Sequence, residues 1–408
     1  MITDWFRPPI NASLSPNTDS RDVRAAWSLL FRPRVWKKGP ALAKAERWFC
    51  DEFDVESTAF FKSGRAALLA LLEALSIGKG DDVMVQAFSC VAVVNSVRWA
   101  GATPVYVDID GSLNLDPEDL EKKITKRTKA VIVQHTFGIP ADMKRIMAVA
   151  RKHNLLVIED CAHALGASYD GKKLGEWGDA AFFSFGRDKA VSSVWGGATF
   201  IRNDHSAVHR LIKLQKHLPD PGYFWIFQQL LHPVAFFVIL PLYTLGVGKA
   251  ILVLLQMLHL LSKPVASEEY VGRKPDDTMT AYPDALAALL LLQLHKLPLM
   301  VEQRKQSAAF YEKNLPEEVK RVMVRSGASY LRFPVFVDAP DGVRMRAKGR
   351  GILLGNWYHH VIDPGSVRFD SIGYHEGMCP HAEWASAHII NLPTLVDKQS
   401  VERVLSVM

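Results

Sequence analysis

Between Thr58 and Arg202 short runs rich in β-branched and aromatic residues keep recurring: DVMVQAF, ATPVYVDID, KAVIVQH, LLVIED, AAFFSF and GATFIR. Helix-like segments separate several of them, namely CVAVVNSVRWAGA, DPEDLEKKI and ADMKRIMAVARKHN. Strand–helix–strand repetition of this length predicts a mostly parallel sheet covered by helices on both faces. In such a sheet the ligand sits beyond the carboxyl ends of the strands. The residues that close each run are therefore the candidates for chemistry.

The C-terminal part is patterned differently. A long helical run over roughly Pro283–Leu315 precedes two strand candidates, YLRFPVFV and GILLGNWY, a helix near Cys379–Ile389 and a short last helix. This reads as a smaller α+β domain packed on the first. With 408 residues, 49% of them hydrophobic, the chain is long enough for two cores. The expected fold class is α/β, with a large domain over 1–210, a hydrophobic insertion over 211–270, and an interdomain helix plus small domain over 271–408.

The insertion is unusual. From Pro221 to Gly248 there is no Asp, Glu, Lys or Arg, and after Lys249 the next formal charge is Lys263. Apolar length alone allows a membrane span, flanked by Arg210, Lys213, Lys216 and Lys263. A single crossing would put two halves of one protein on opposite sides of a bilayer. Pro233, Pro241 and the Gly246/Gly248 pair also break the run. The expectation is a re-entrant hairpin or in-plane helices that touch the membrane through 221–262. The competing reading is a helical insertion buried against a partner subunit.

Net charge is +6 with a pI near 9.0, which suits phosphorylated ligands or an anionic membrane surface. No Lys/Arg block interleaved with aromatics suggests nucleic acid. Cys50, Cys90, Cys161 and Cys379 are far apart without a CxxC pair, as expected of free thiols in a reducing compartment. The opening MITDWFRPPI has no basic region followed by an apolar one, so the expected location is cytoplasmic or peripheral on the inner face of the membrane. His209, His217, His232 and His259 lack metal-ligand spacing and read as surface or interface residues, and no metal is expected.

Three strand ends carry chemistry. LLVIEDCAHALGA closes on Glu159 and Asp160, followed by His163. A carboxylate there can hold a metal, a ribose hydroxyl or a protonated ring nitrogen, or simply cap a helix. AFFKSGRAALLALLEAL meets Lys62-Ser63-Gly64-Arg65 and opens a helix, whose N-terminus favours phosphate or is an ordinary cap. AFFSFGRDKAVSSVWGGATF places Lys189 in a loop beyond Ser184 and before the Gly196-Gly197 pair. A lysine amine condenses with aldehydes when its pKa is lowered, and otherwise sits in solvent. A phosphate cradle, a carboxylate for a pyridinium nitrogen and an amine for an aldehyde are the handles of pyridoxal 5'-phosphate.

In order and spacing the chain resembles the DegT/DnrJ/StrS-type pyridoxal-phosphate-dependent nucleotide-sugar aminotransferases. The resemblance runs through SGRAAL, FSCVAVVNSVRWAGATPVYVDID, QHTFGIPADM, VIEDCAHALGA, SFGRDK…GGATFIRND, LLLLQLHKL…RKQSAAFY and CPHAEWASAHIINLPT. It implies the aspartate-aminotransferase-like fold (fold type I), a homodimer, and transfer of an amino group, typically from glutamate, to a nucleotide-linked keto sugar for polysaccharide or glycoconjugate synthesis. By the same resemblance Lys189 binds the cofactor aldehyde and later moves a proton, and Asp160 pairs with the pyridine nitrogen. His163 sits near the cofactor face or ring hydroxyl. Ser63, Gly64, Arg65 and Ser184 surround the phosphate. His135, Tyr358 and His359 fall on the sugar side. The lysine also argues against related sugar dehydratases, which carry histidine there.

The chain departs from the family pattern at several places. Cys90 stands where members place a ring over the cofactor, so Phe88 or another ring must supply the stacking. Arg65 replaces a Thr or Asn, and Trp195 replaces an acidic residue before the glycine pair. Near DDTMTAYPDALAAL, Thr278 precedes Met279 where Arg is common. The departures at Cys90, Trp195 and Thr278 keep open a non-catalytic regulatory or scaffold protein at the membrane. The insertion keeps open an aminotransferase acting on a lipid-linked substrate, and another fold-type-I reaction such as a lyase or acyl-CoA condensation is a third alternative.

Overall fold

The computed structural model describes residues 8–408. Residues 1–7, part of the opening stretch from which the lack of a leader was read, lie outside the described residues. After a first helix α1 (Ser20–Leu30), strand β1 (Ala59–Phe61) leads into α2 (Gly64–Ala74). The predicted runs follow as β2 (Asp82–Gln86), β3 (Thr103–Val107), β4 (Thr128–Gln134), β5 (Leu156–Asp160), β6 (Ala180–Ser184) and β7 (Gly197–Ile201). They form one seven-stranded sheet in the order β1-β7-β6-β5-β4-β2-β3. β7 runs antiparallel to both neighbours, and all other pairs are parallel.

Buried faces on both sides explain the continuous apolar runs. Ile132 and Ile158 pack with Leu68 and Val94 on one face, while Val131 and Val157 pack with Ile146 and Leu155 on the other. The β6 strand alternates likewise, with Phe182 on the first face and Phe183 against Phe49 and Phe53 on the second.

Two helices make the insertion. α3 (Tyr223–Ile239) has 17 residues and α4 (Val247–Met257) has 11. Both are shorter than the roughly 20 residues a perpendicular crossing needs. α3 lies against α1 and buries Ile226, Leu230, Phe236 and Ile239, whereas α4 leans on α3 and buries only Gly248. The chain thus covers one side of the insertion with its own residues. The other side leaves Phe237, Val238, Val253, Leu254, Met257 and Leu258 more than half exposed. His232, expected at a surface or interface, is instead only 1% exposed inside the chain.

The 31-residue helix α5 (Asp284–Asn314) is long and apolar enough to span a membrane but is a core element, with Leu286, Leu290 and Leu294 packed beneath the sheet domain. It leads to a small antiparallel sheet of β8 (Lys320–Arg321), β9 (Phe333–Phe336) and β10 (Ile389–Leu392). The helix expected near Cys379–Ile389 spans Pro380–His388, and the strand candidate GILLGNWY holds the strand Ile352–Leu353, which pairs in parallel with Ile10–Asn11.

Candidate active site

Parallel β1, β6 and β5 end on one edge of the sheet. Register then sets the loops: Ser184 lies opposite Gly197, and Gly197 lies opposite Phe61. Ser63 is extended and caps α2, its Oγ accepting from Ala66 N at 3.3 Å. Gly64 begins the helix because nothing larger fits. A Cβ on Gly64 would stand 2.8 Å from Ser184 Cβ, and one on Gly197 would stand 2.6 Å from the Gly64 backbone. The result is a close-packed floor of small residues beneath the orphaned N–H groups of a helix N-terminus, a natural anion cradle.

Above this edge lies a cavity of about 440 Å³. Lys189, Asp160, His163 and Cys90 line it, as do Ser63, Gly64, Arg65 and Ser184 from the cradle. Tyr358 enters from the small domain. Two expected residues are not there. His135 is fully buried behind β5, where its Nδ1 accepts from Ala141 N and its Nε2 faces Glu159 at 3.1 Å. Glu159 also accepts from the backbone of Gly175, Trp177 and Gly178. His135, Glu159 and Cys161 cluster closely enough to suggest a metal, but the His and Glu ligand atoms are already committed to these bonds. His359 pairs with Asp363 at 2.8 Å and does not line the cavity. Phe88 does not line it either. It packs edge-on against Tyr358, and the ring beside Lys189 is Trp357, whose centroid is 4.6 Å from Nζ.

The hydrogen-bond pattern assigns the tautomer of His163. Phe137 N donates to His163 Nδ1 at 3.3 Å, so the ring proton sits on Nε2. That nitrogen is 3.0 Å from Lys189 Nζ and 3.4 Å from Tyr358 Oη. Burial lowers the pKa of Lys189. Burial, aided by the charges of Lys189 and Arg332, holds His163 well below its ordinary value. Asp160 is pushed up to about 6 by burial, with only Ala162 N donating to its Oδ1 at 3.0 Å. The Cys90 thiol is raised by burial and stays protonated. The loop itself is fixed from outside: Asn17 Nδ2 donates to the carbonyls of Lys189 and Ala190 at 2.8 and 3.1 Å, and buried Arg304 also donates to Ala190 O.

The departures have definite places. Arg65 pairs with buried Glu269 and donates to Pro264 O at 2.8 Å. Its guanidinium lies 5.6 Å from the Trp195 ring, which packs on Trp225 of α3. Thr278 donates to Pro275 O within its own turn. Sequence reasoning missed Arg187, His232 and Arg332. The first two line the cavity, and the third stacks 3.7 Å from the Trp357 ring while holding Asp188 at 3.3 Å. Arg187 had one signal, its place two residues before the lysine.

A profile described as the DegT/DnrJ/EryC1/StrS aminotransferase family matches residues 18–220 and 277–408, leaving the insertion unmatched. The chain is 32% identical over 338 residues to a pleiotropic regulatory protein of Geobacillus stearothermophilus, covering 81% of this chain and 78% of the relative. It is 42% identical over 189 residues to a GDP-perosamine synthase of Caulobacter vibrioides, covering 46% of this chain and 51%, about half, of that relative. Among solved structures, Helicobacter pylori PseC, an aminotransferase involved in the biosynthesis of pseudoaminic acid, superposes with a TM-score of 0.74 over 98% of both chains. At 20% identity that likeness is one of fold.

Proposed function

The chain belongs to the DegT/DnrJ/EryC1/StrS aminotransferase family, and from that premise we propose that it transfers an amino group from glutamate to a carrier-linked keto sugar for glycan synthesis. The observation that carries this reading is the Lys189–His163 pair beside Asp160 in one cavity at the carboxyl edge of the sheet. The residues fit pyridoxal phosphate. The cradle at Gly64 and Gly197 excludes even a Cβ, and Asp160 is a buried carboxylate whose side chain accepts only from Ala162 N among the described residues.

When bound, the cofactor supplies an aldehyde that carries amino groups and a pyridine ring that takes up electrons. Ser63, Gly64, Ser184 and the α2 N-terminus would hold its phosphate. Asp160 would keep the ring nitrogen protonated. Lys189 would supply the amine for the aldehyde and the base that moves a proton at the reacting carbon. His163, held neutral, would contact Nζ through Nε2 and add no competing charge. Trp357 walls the face of the site beside Lys189.

Glutamate added to protein loaded with pyridoxal phosphate should change its visible absorbance and release 2-oxoglutarate, and Lys189→Ala should do neither. A wild-type protein indifferent to glutamate would overturn the reading. We further propose a homodimer, and contact of residues 221–262 with the inner face of the membrane. A regulatory role is the second reading, favoured by the name of the Geobacillus stearothermophilus relative and by the changed walls at Arg65 and Trp195. Sustained turnover with glutamate would exclude a purely non-catalytic form of it.

A further inference from the structure

The cavity that holds Lys189 is also lined by Arg187 and by His232, Phe236, Leu252 and Leu261 of the insertion. Arg187 donates through Nη2 to the carbonyl and Oγ of Ser262, both at 2.7 Å. No carboxylate lies within ion-pairing distance of it among the described residues, since neighbouring Asp188 is taken by Arg332. Its Nε is buried without a partner. Burial pushes its pKa down to about 10, so it remains a cation at neutral pH. Beside it His232 hydrogen-bonds Ser15 through Nε2 at 2.9 Å, while its buried Nδ1 is unpartnered. A desolvated guanidinium whose acceptors are all neutral is an anion receptor awaiting an anion.

What surrounds this charge is aliphatic. Phe236, Leu252 and Leu261 line the same end of the cavity and belong to one apolar cluster with Leu14. From Pro221 through Ser267 the insertion holds no acidic residue. A phosphoryl group fits Arg187 and His232, but whatever it is attached to must lie on hydrocarbon. A ribose and base there would leave hydrogen-bonding edges unpaired.

Resting on the aminotransferase reading, we propose that Arg187, His232 and the wall of Phe236, Leu252 and Leu261 form a subsite for an isoprenoid phosphate. The keto sugar then reaches Lys189 on a lipid carrier, and its amino product serves a membrane-bound glycosyl-transfer step. The apolar wall is contributed by the segment that the family profile leaves unmatched.

Calorimetric titration of the protein loaded with pyridoxal phosphate, using farnesyl diphosphate, inorganic diphosphate, UDP and farnesol, tests this. Farnesyl diphosphate should bind at least about tenfold more tightly than each of the other probes. Arg187→Gln should weaken it at least about tenfold. Because Arg187 is buried and its variant can misfold, Leu252→Glu on peripheral α4 gives an independent test: it should abolish the advantage of the farnesyl chain over inorganic diphosphate. UDP binding as tightly as farnesyl diphosphate would overturn the proposal, and so would farnesyl diphosphate binding that neither substitution alters. The wild-type reaction with glutamate, run alongside, reports on amino transfer alone. Its failure with farnesyl diphosphate binding intact would sink the aminotransferase reading rather than the subsite.

Discussion

Asp160 is held by burial. Burial outweighs the Ala162 N–H and the Lys189 charge, so Asp160 keeps its proton to about pH 6, against an ordinary value of 3.8. Between those values the folded protein binds a proton that the unfolded chain has released, so this group's contribution falls as pH rises through the window. Above pH 6 the full burial penalty applies. Asp160→Asn should therefore stabilise the cofactor-free protein by about 1–3 kcal/mol at pH 8 and by nothing near pH 4, as urea denaturation at the two pH values would measure. The same variant should lose retention of pyridoxal phosphate on gel filtration. Equal stabilisation at both pH values would refute the electrostatic account. At this scale the sequence spoke clearly where a residue closes a strand, as Asp160 and Ser184 do. It was silent for Arg187 and His232, whose partners at Ser262 and Ser15 are remote in the chain. His135 misled because the polar end of β4 turns into a buried network with Glu159 and away from the cavity.

Among the elements, α2 and the insertion are mechanically joined. Gly64 stands where any Cβ meets Ser184, so Gly64→Ala should cost roughly 1–3 kcal/mol and loosen phosphate binding, readable as a lower Tm and a weaker affinity for pyridoxal phosphate. Arg65 and Trp195 touch the insertion, a segment that the family profile leaves unmatched: one pairs with Glu269 and the other packs on Trp225. Glu269→Ala leaves Arg65 uncompensated and should destabilise the protein by roughly 3–5 kcal/mol, whereas the paired change Arg65→Met/Glu269→Leu should recover most of that in denaturant titrations. The strands of the large sheet were legible because their spacing and turn residues agree with burial on two faces. The insertion was legible only as apolar. A segment apolar all round has no stripe to show which side meets the protein, and folding decided that α3 covers α1 while α4 stays outside.

On the scale of the whole molecule, the exposed apolar side chains of α3 and α4 need a partner. Phe237, Val253, Leu254, Met257 and Leu258 are each more than half exposed, and Met257 reaches 72%. A patch of this kind marks a surface that spends part of its time covered. The membrane contact proposed above takes lipid as that cover, and the charge pattern agrees with it. Lys249 and Lys263 are the formal charges between Pro221 and Ser267, so an anionic bilayer meets attraction and no repulsion along the insertion. Both helices are shorter than a perpendicular crossing needs, so the proposed contact is in-plane docking. Full-length protein should therefore float with vesicles containing phosphatidylglycerol and float less with purely zwitterionic ones. Added salt should weaken the binding without abolishing it, because screening removes the lysine contribution and leaves the apolar one. Met257→Glu/Leu258→Glu should eliminate flotation while glutamate-dependent release of 2-oxoglutarate continues, since neither side chain lines the cavity. If the same double variant instead converts a dimer to a monomer in light scattering and vesicles never bind, the patch is a subunit interface. The carrier lipid would then have to reach Arg187 by another route.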